Sequence, residues 1–284
     1  MKKGIDVGGS YVKVLWEDGR REKFPVREFS KDREAFLKRI LQIIKEGNPE
    51  KVGVSVAGFT STEGVIYRSP NIPALDGVKL LDLLKHEGLE AVVMNDVSCG
   101  AFGEWFFEER NSKVLLLVAV GTGLGAGLVI EGRPFLGARG SALELGHHIV
   151  EKGGKVCSCG RKGCLEAYCS SYGLERIYRE LSGKELKDYE IVNLAKEGEK
   201  EALAAVEVFK EYLLVGLMNA VHILNPDLVV LAGGLIEGMK EFLHDLEERL
   251  ISMVERLPAE GLRVKFSSCG EYCMARGALA LALT

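Results

Sequence analysis

The chain has 284 residues, 47% of them hydrophobic and 27% charged, with a formal net charge of −4. That length can bury a large core and divide into two lobes, and the acidic balance excludes a basic nucleic-acid-binding surface. The opening residues MKKGIDVGG carry no apolar leader stretch, and no apolar run is long enough to span a bilayer. The expectation is a soluble cytoplasmic protein whose seven cysteines are reduced.

Residues 3–8 and 11–17 read as strands joined at Gly8-Gly9-Ser10, and a third strand over 20–28 follows the Asp18-Gly19 turn. Ser30 is the expected cap of a helix running to about 46, with Phe36, Ile40, Ile43 and Ile44 at helical spacing. A strand over 51–56, a helix over 77–88 and a buried strand over 91–94 come next. The last ends at Asn95-Asp96, and a helix continues to about 109. The pattern then restarts with strands at 113–120 and 125–130, joined at Gly121-Thr122-Gly123. Helices are expected near 165–181, 188–197, 199–223, 238–256 and 273–283, with strands at 227–231 and 263–266. A glycine-turned hairpin thus opens each half of the chain. This is a duplication of architecture that predicts two α/β lobes with a ligand cleft between them.

The densest chemistry lies in HHIVEKGGKVCSCGRKGC, residues 147–164. His147, Cys157, Cys159 and Cys164 supply the four N/S ligands of a closed structural zinc site, and glycines let a short loop wrap the ion. The alternative is packing cysteines, and CxC is a rarer zinc spacing than CxxC. Cys99, Cys169, Cys269 and Cys273 lack such an arrangement and read as reduced, mostly packing residues. Glu144 and Glu166 flank the loop, so zinc would fix two carboxylates on one rigid support.

The turns Gly8-Gly9-Ser10 and Gly121-Thr122-Gly123 can bring backbone N–H groups against phosphate, with Ser10 and Thr122 adding hydroxyls. Either turn alone could simply close a hairpin. Neither matches a P-loop or a dinucleotide fingerprint. Asp6 would repel phosphate, so its sensible role is to hold Mg²⁺. Gly233-Gly234, between a strand and a helix, could admit a nucleoside. Asp96, where a buried strand meets a helix, is either an N-cap or a general base for phosphoryl transfer to a hydroxyl. Asn71, Asn95, Asp96, Glu144, His147 and Glu166 together suit a polyol.

These segments resemble the ROK family, and within it the glucokinase-like sugar kinases. IDVGGS resembles the family's DxGGT phosphate motif, and SVAGFTSTEGVIYRSPNIP its sugar-side segment. MNDVSCGAFGE resembles the segment bearing its catalytic aspartate. VGTGLGAGLVIEGRPFLGARGSALELGHH resembles its second phosphate loop running into ExGH. CSCGRKGCLEAYCS resembles the CxCGxxGCxE zinc signature, and LAGGL the loop near the adenosine.

The resemblance implies an α/β, two-lobed actin-like (ribonuclease H-like) ATPase fold. The first lobe would take 1–108 plus 270–284, and the second 109–269. It implies ATP with Mg²⁺, structural zinc at His147, Cys157, Cys159 and Cys164, and Asp96 as the catalytic base. Sugar hydroxyls would meet Asn71, Asn95, Asp96, Glu144, His147 and Glu166. Nucleotide would meet Asp6, Gly8, Gly9, Ser10, Gly121, Thr122, Gly123, Gly233 and Gly234. It also implies a homo-oligomer, a dimer or higher. The first glycine motif begins too early to leave room for the DNA-binding domain of the family's repressors. The chain departs from the family pattern at Ser10, Tyr11, Ser98, Ala74-Leu75 and Leu143. Leu143 stands where glycine usually precedes the glutamate, and its bulk would disfavour an N-acetyl group. Glucose is the expected sugar. An N-acetylhexosamine, fructose, another hexose or a non-catalytic sensor role are the alternatives.

Overall fold

The computed structural model describes residues 1–28 and 32–284. By contact the chain divides into two units. Unit 1 takes Met1–Lys113, Gly127–Ala142 and Cys269–Thr284, and unit 2 takes Val114–Ala126 and Leu143–Ser268.

The first sheet is built from β1 (Lys2–Val7), β2 (Tyr11–Trp16), β3 (Arg21–Pro25), α1 (Arg33–Lys45) and β4 (Lys51–Val56) in chain order. A small sheet follows, of β5 (Phe59–Thr60), β6 (Val65–Arg68) and β7 (Val78–Lys79). Then come α2 (Leu80–His86), β8 (Glu90–Asn95) and α3 (Asp96–Phe107). The large sheet runs β3-β2-β1-β4-β8, antiparallel through the hairpin and parallel from β1 to β8. Ile5, Val7, Val54 and Val56 are fully buried among the apolar faces of this sheet and α1. The expected helical stripe holds: Phe36, Ile40, Ile43 and Ile44 are the buried residues of α1. Ser30 lies outside the described residues, and the N-cap is Asp32, which accepts from the Ala35 N–H. Lys3 is buried against the other end of α1, donating to the carbonyls of Ile43 (2.6 Å) and Glu46 (3.0 Å). These are carbonyls a helix C-terminus leaves without internal partners.

The second sheet contains β9 (Val114–Val120), β10 (Leu124–Ile130) and β11 (Arg133–Pro134). After the cysteine loop come α4 (Ser171–Ser182), α5 (Asp188–Lys196), α6 (Lys200–Leu224) and β12 (Leu228–Ala232). The chain ends with α7 (Gly234–Met239), α8 (Leu246–Met253), α9 (Arg256–Ala259), β13 (Arg263–Phe266) and α10 (Cys273–Leu283). The order is β11-β10-β9-β12-β13, the same arrangement as the first sheet. Its parallel strands are apolar along their length: Leu115–Val118 and Leu228–Val230 are fully buried, as strands covered on both faces must be. Two five-stranded α/β sheets of matching order make this the two-lobed ATPase fold expected.

The helix expected over 238–256 is instead α7, a 3-10 turn, α8 and the short α9. The break is a tertiary effect. Lys210 of α6 is buried, and its ammonium meets the Asp245 carboxylate (3.3 Å) and the Phe242 carbonyl (3.4 Å), the second a group that an unbroken helix would use internally. The expected helix over 165–181 is likewise split. A 3-10 turn over Leu165–Ala167 precedes α4, whose N-cap is Ser170. The strand expected to reach 28 ends at Pro25, and the helix expected from 77 starts at Leu80 because residues 78–79 pair into the small sheet. Among the described residues, no helix is long and apolar enough to cross a membrane.

Candidate active site

In unit 1 the parallel pairing of β1, β4 and β8 brings Asp6, Ser55 and Asn95 to strand ends on one edge. Ser55 Oγ donates to Asp6 Oδ1 at 2.9 Å. Asp6 is buried, which raises its pKa to about 6, opposed by the Ser55 hydrogen bond and the charge of Lys13. Asn95 rather than Asp96 caps α3: its side-chain oxygen accepts from the Ser98 N–H, and its amide donates to the Gly58 carbonyl. Asp96 is therefore the first residue of the helix, relieved of capping. Its Oδ1 accepts from the Val97 N–H and from Asn95 Nδ2, each at 2.9 Å. Burial, followed by repulsion from Asp6, raises its pKa to about 7. Two carboxylates that oppose each other's ionisation are how a buried acid becomes a proton acceptor near neutral pH.

The Gly8-Gly9-Ser10 turn is closed by the Gly8 N–H on the Tyr11 carbonyl at 3.1 Å. A Cβ at Gly9 would come within 2.8 Å of Asn71 Cβ, so the turn and Asn71 are in contact and only glycine fits between them. Gly9, Ser10, Tyr11, Arg27, Asn71 and Ala74 lie along a cavity of about 710 Å³ within unit 1.

In unit 2 the turn Gly121-Thr122-Gly123 closes through the Gly121 N–H on the Gly123 carbonyl at 2.9 Å. Ser171, at the start of α4, donates to the Gly121 carbonyl from both its N–H (2.8 Å) and its hydroxyl (3.0 Å). Glu166 Oε2 accepts from the Leu124 N–H at 3.1 Å, and a Cβ at Gly123 would meet that oxygen at 2.8 Å. The glycine turn and Glu166, separate motifs in the sequence, are thus joined. Glu166 Oε1 accepts from Ser158 Oγ (2.6 Å) and Tyr172 OH (3.1 Å). Sequence reasoning missed Ser55, Ser158, Tyr172 and Ser171. Of these, Ser158, inside the CxC, and Ser55, which opens the SVAGF segment, lie within motifs that could have flagged them.

Glu144 precedes the 3-10 turn Leu145–His147. The residue as a whole is exposed, and partial desolvation of its carboxyl raises its pKa, with His147 opposing and Glu166 reinforcing. Leu143 sits at φ +67°, the left-handed region. A side chain pays a steric cost there that glycine does not. At the same end of the sheet as the Gly121 turn, Gly233 (φ +100°) follows β12 beside β9, where a Cβ would meet the Val120 carbonyl at 2.2 Å. Gly234 has open space on that side.

His147, Cys157, Cys159 and Cys164 converge, with ligand atoms all within 4.8 Å of one another. Cys157 Sγ lies 3.7 Å from His147 Nδ1, and the Cys159 and Cys164 sulfurs are 3.7 Å apart. A zinc tetrahedron with ~2.3 Å Zn–S bonds has edges of about 3.8 Å, so the donor set and its spacing fit that ion. The supporting loop is fixed from outside. Tyr168 and Tyr212 stack at 3.8 Å, and both hydroxyls donate to Glu151.

The family model for the ROK family matches residues 2–284. The glucokinase of Thermotoga maritima is 30% identical over 88% of this chain and 87% of its own. The N-acetyl-D-glucosamine kinase of Haemophilus influenzae is 30% identical over 99% of both chains. Among solved structures, the ROK hexokinase from Thermus thermophilus superposes with a TM-score of 0.86 at 26% identity, covering 99% of this chain and 97% of that one. The chain belongs to the ROK family.

Proposed function

We propose that this chain, an ATP-dependent sugar kinase of the ROK family, phosphorylates a hexose at its 6-hydroxyl, with glucose the first candidate. The observation that carries the reading is the Asp6–Asp96 pair: Asp96 freed from capping by Asn95, with its pKa raised to about 7. Asp96 accepts the proton of the 6-hydroxyl as that oxygen attacks the γ-phosphorus. Asn95 and the Val97 N–H hold its carboxylate in place. Asp6, a hard oxygen donor, suits the Mg²⁺ that accompanies ATP, an ion that would neutralise phosphate charge. The Gly8–Ser10 and Gly121–Gly123 amides, with the Ser10 and Thr122 hydroxyls, serve the phosphates, and Gly233-Gly234 leaves room for the nucleoside. Asn71, Asn95, Glu144, His147 and Glu166 orient the sugar hydroxyls. His147, Cys157, Cys159 and Cys164 would hold zinc, which cross-links the loop carrying Glu144 and Glu166. With four protein ligands the ion has no open position for chemistry. A cytoplasmic homo-oligomer whose family lobes are 1–108 plus 270–284 and 109–269, a division that differs from the contact units chiefly at 127–142, completes the reading.

An N-acetylhexosamine is the second reading, supported by the name of the Haemophilus relative. Leu143 beside Glu144 argues for the smaller sugar. ADP release with Mg²⁺-ATP across glucose, mannose, fructose, allose, N-acetylglucosamine and N-acetylmannosamine tests both. Glucose standing well above the no-sugar blank is expected. A flat panel with folded, zinc-loaded protein would overturn the kinase reading for these sugars.

A further inference from the structure

The zinc loop supplies a ruler for cysteine pairs in this chain. Its Cys159 and Cys164 sulfurs stand 3.7 Å apart, the spacing of two ligands on one ion. Cys269 and Cys273, both in unit 1, are different: their sulfurs are 2.8 Å apart. That is well short of a metal tetrahedron's edge of about 3.8 Å and nearer the ~2.05 Å of a disulfide. Cys273 is buried at the first residue of α10, and Cys269, four residues earlier, is half-exposed. The Cys269 thiol donates to Glu104 Oε1 at 2.8 Å, and Glu104, on α3, is fully buried. Arg276, ion-paired with Glu108, also interacts with Cys269.

We infer that Cys269 and Cys273 form a reversible dithiol–disulfide pair that reacts with small-molecule disulfides. The accessible Cys269 attacks first. Glu104 takes its proton, the Cys269 sulfur bonds to one sulfur of the external disulfide, and the other sulfur leaves as a thiolate that is then protonated. Cys273, already against Cys269, attacks the Cys269 sulfur and gives its proton to solvent. The second external thiol departs. Overall the protein loses two hydrogens, and one external disulfide becomes two thiols. A cation that favours the thiolate, here Arg276, is a feature of a reactive rather than an inert cysteine, and Glu104 becomes neutral as it takes the proton. Glu104 and both cysteines also make up a three-ligand cluster, so a metal site is the competing outcome.

The test uses the reduced, zinc-loaded full-length protein and oxidised glutathione as probe. Both cysteines fall in the single tryptic peptide 266–276. That peptide is expected to lose two hydrogens and become resistant to alkylation, while Cys273→Ser traps one glutathione on Cys269 and Cys269→Ser stays unmodified. Glu104→Gln is expected to slow the reaction about 10²-fold, the low end for a general base. Melting curves for each variant establish that it is folded. A stable glutathione adduct on the wild type, or no adduct on folded Cys273→Ser, would overturn the pair. So would two zinc ions per wild-type chain falling to one in Cys269→Ser. None of these readouts depends on kinase activity.

Discussion

The Asp6–Asp96 pair of unit 1 and Glu166 of unit 2 are held in different ways. In unit 1, Asp6 and Asp96 are raised to about 6 and about 7 by burial and, for Asp96, by its neighbour's charge. In unit 2, Glu166 accepts a backbone N–H, a serine hydroxyl and a tyrosine hydroxyl. The first arrangement leaves a carboxylate ready to take a proton. The second fixes a carboxylate, which in the proposed function orients a sugar hydroxyl by accepting its hydrogen bond. In the proposed function the Asp6–Asp96 pair would carry the chemistry at a cost in stability, and Glu166 would carry geometry held by the cysteine loop.

The most severe way to break the contrast is Asp96→Asn. Turnover should fall by about 10²–10⁴-fold, the usual worth of a general base. Stability should move the other way. A carboxylate whose folded pKa is raised binds more protons folded than unfolded between pH ~4 and ~7, so its presence destabilises the native state increasingly over that range and fully above it. Asp96→Asn should therefore melt higher than the wild type at pH 8, with the gain shrinking towards pH 4. Melting curves across that range check it, and a variant less stable at pH 8 would contradict the account.

Metal removal addresses unit 2. Chelation should raise the KM for sugar first, because Glu144 and Glu166 lie on either side of the cysteine loop. Nucleotide affinity should change less, since Ser171 grips the Gly121 carbonyl without help from the loop. Titration calorimetry before and after chelation measures both, and equal losses would count against separate supports.

Leu143→Gly is the smallest effect. Relief at φ +67° offsets glycine's extra chain entropy and the lost packing, for a net gain of about 0.5 kcal/mol. If Leu143 restricts the sugar, the same variant should narrow the preference for glucose over N-acetylglucosamine in the ADP-release assay. An unchanged ratio would free Leu143 of that role.

Much of this contrast was legible in the residues. Glycine turns and apolar runs located the strands, helical spacing located α1, and the clustered His147, Cys157, Cys159 and Cys164 announced their own convergence. Two kinds of feature stayed hidden. Tertiary hydrogen bonds, such as Lys210 on the Phe242 carbonyl, break a helix that its own sequence would continue. Long-range juxtapositions, such as Glu104 with Cys269 and Leu124 with Glu166, join residues 165 and 42 positions apart, beyond any local pattern. For Asp96 the residues alone offer a cap or a base and the resemblance implies the base; only the structure shows that Asn95 does the capping.

The most direct test of the central claim is the pH dependence of kcat/KM with Mg²⁺-ATP and the preferred sugar. An ascending limb is expected, losing about one decade per pH unit below an apparent pKa near 7 that belongs to the Asp6–Asp96 pair. A profile flat from pH 5.5 to 8, with the protein folded throughout, would contradict the assignment of Asp96 as the base.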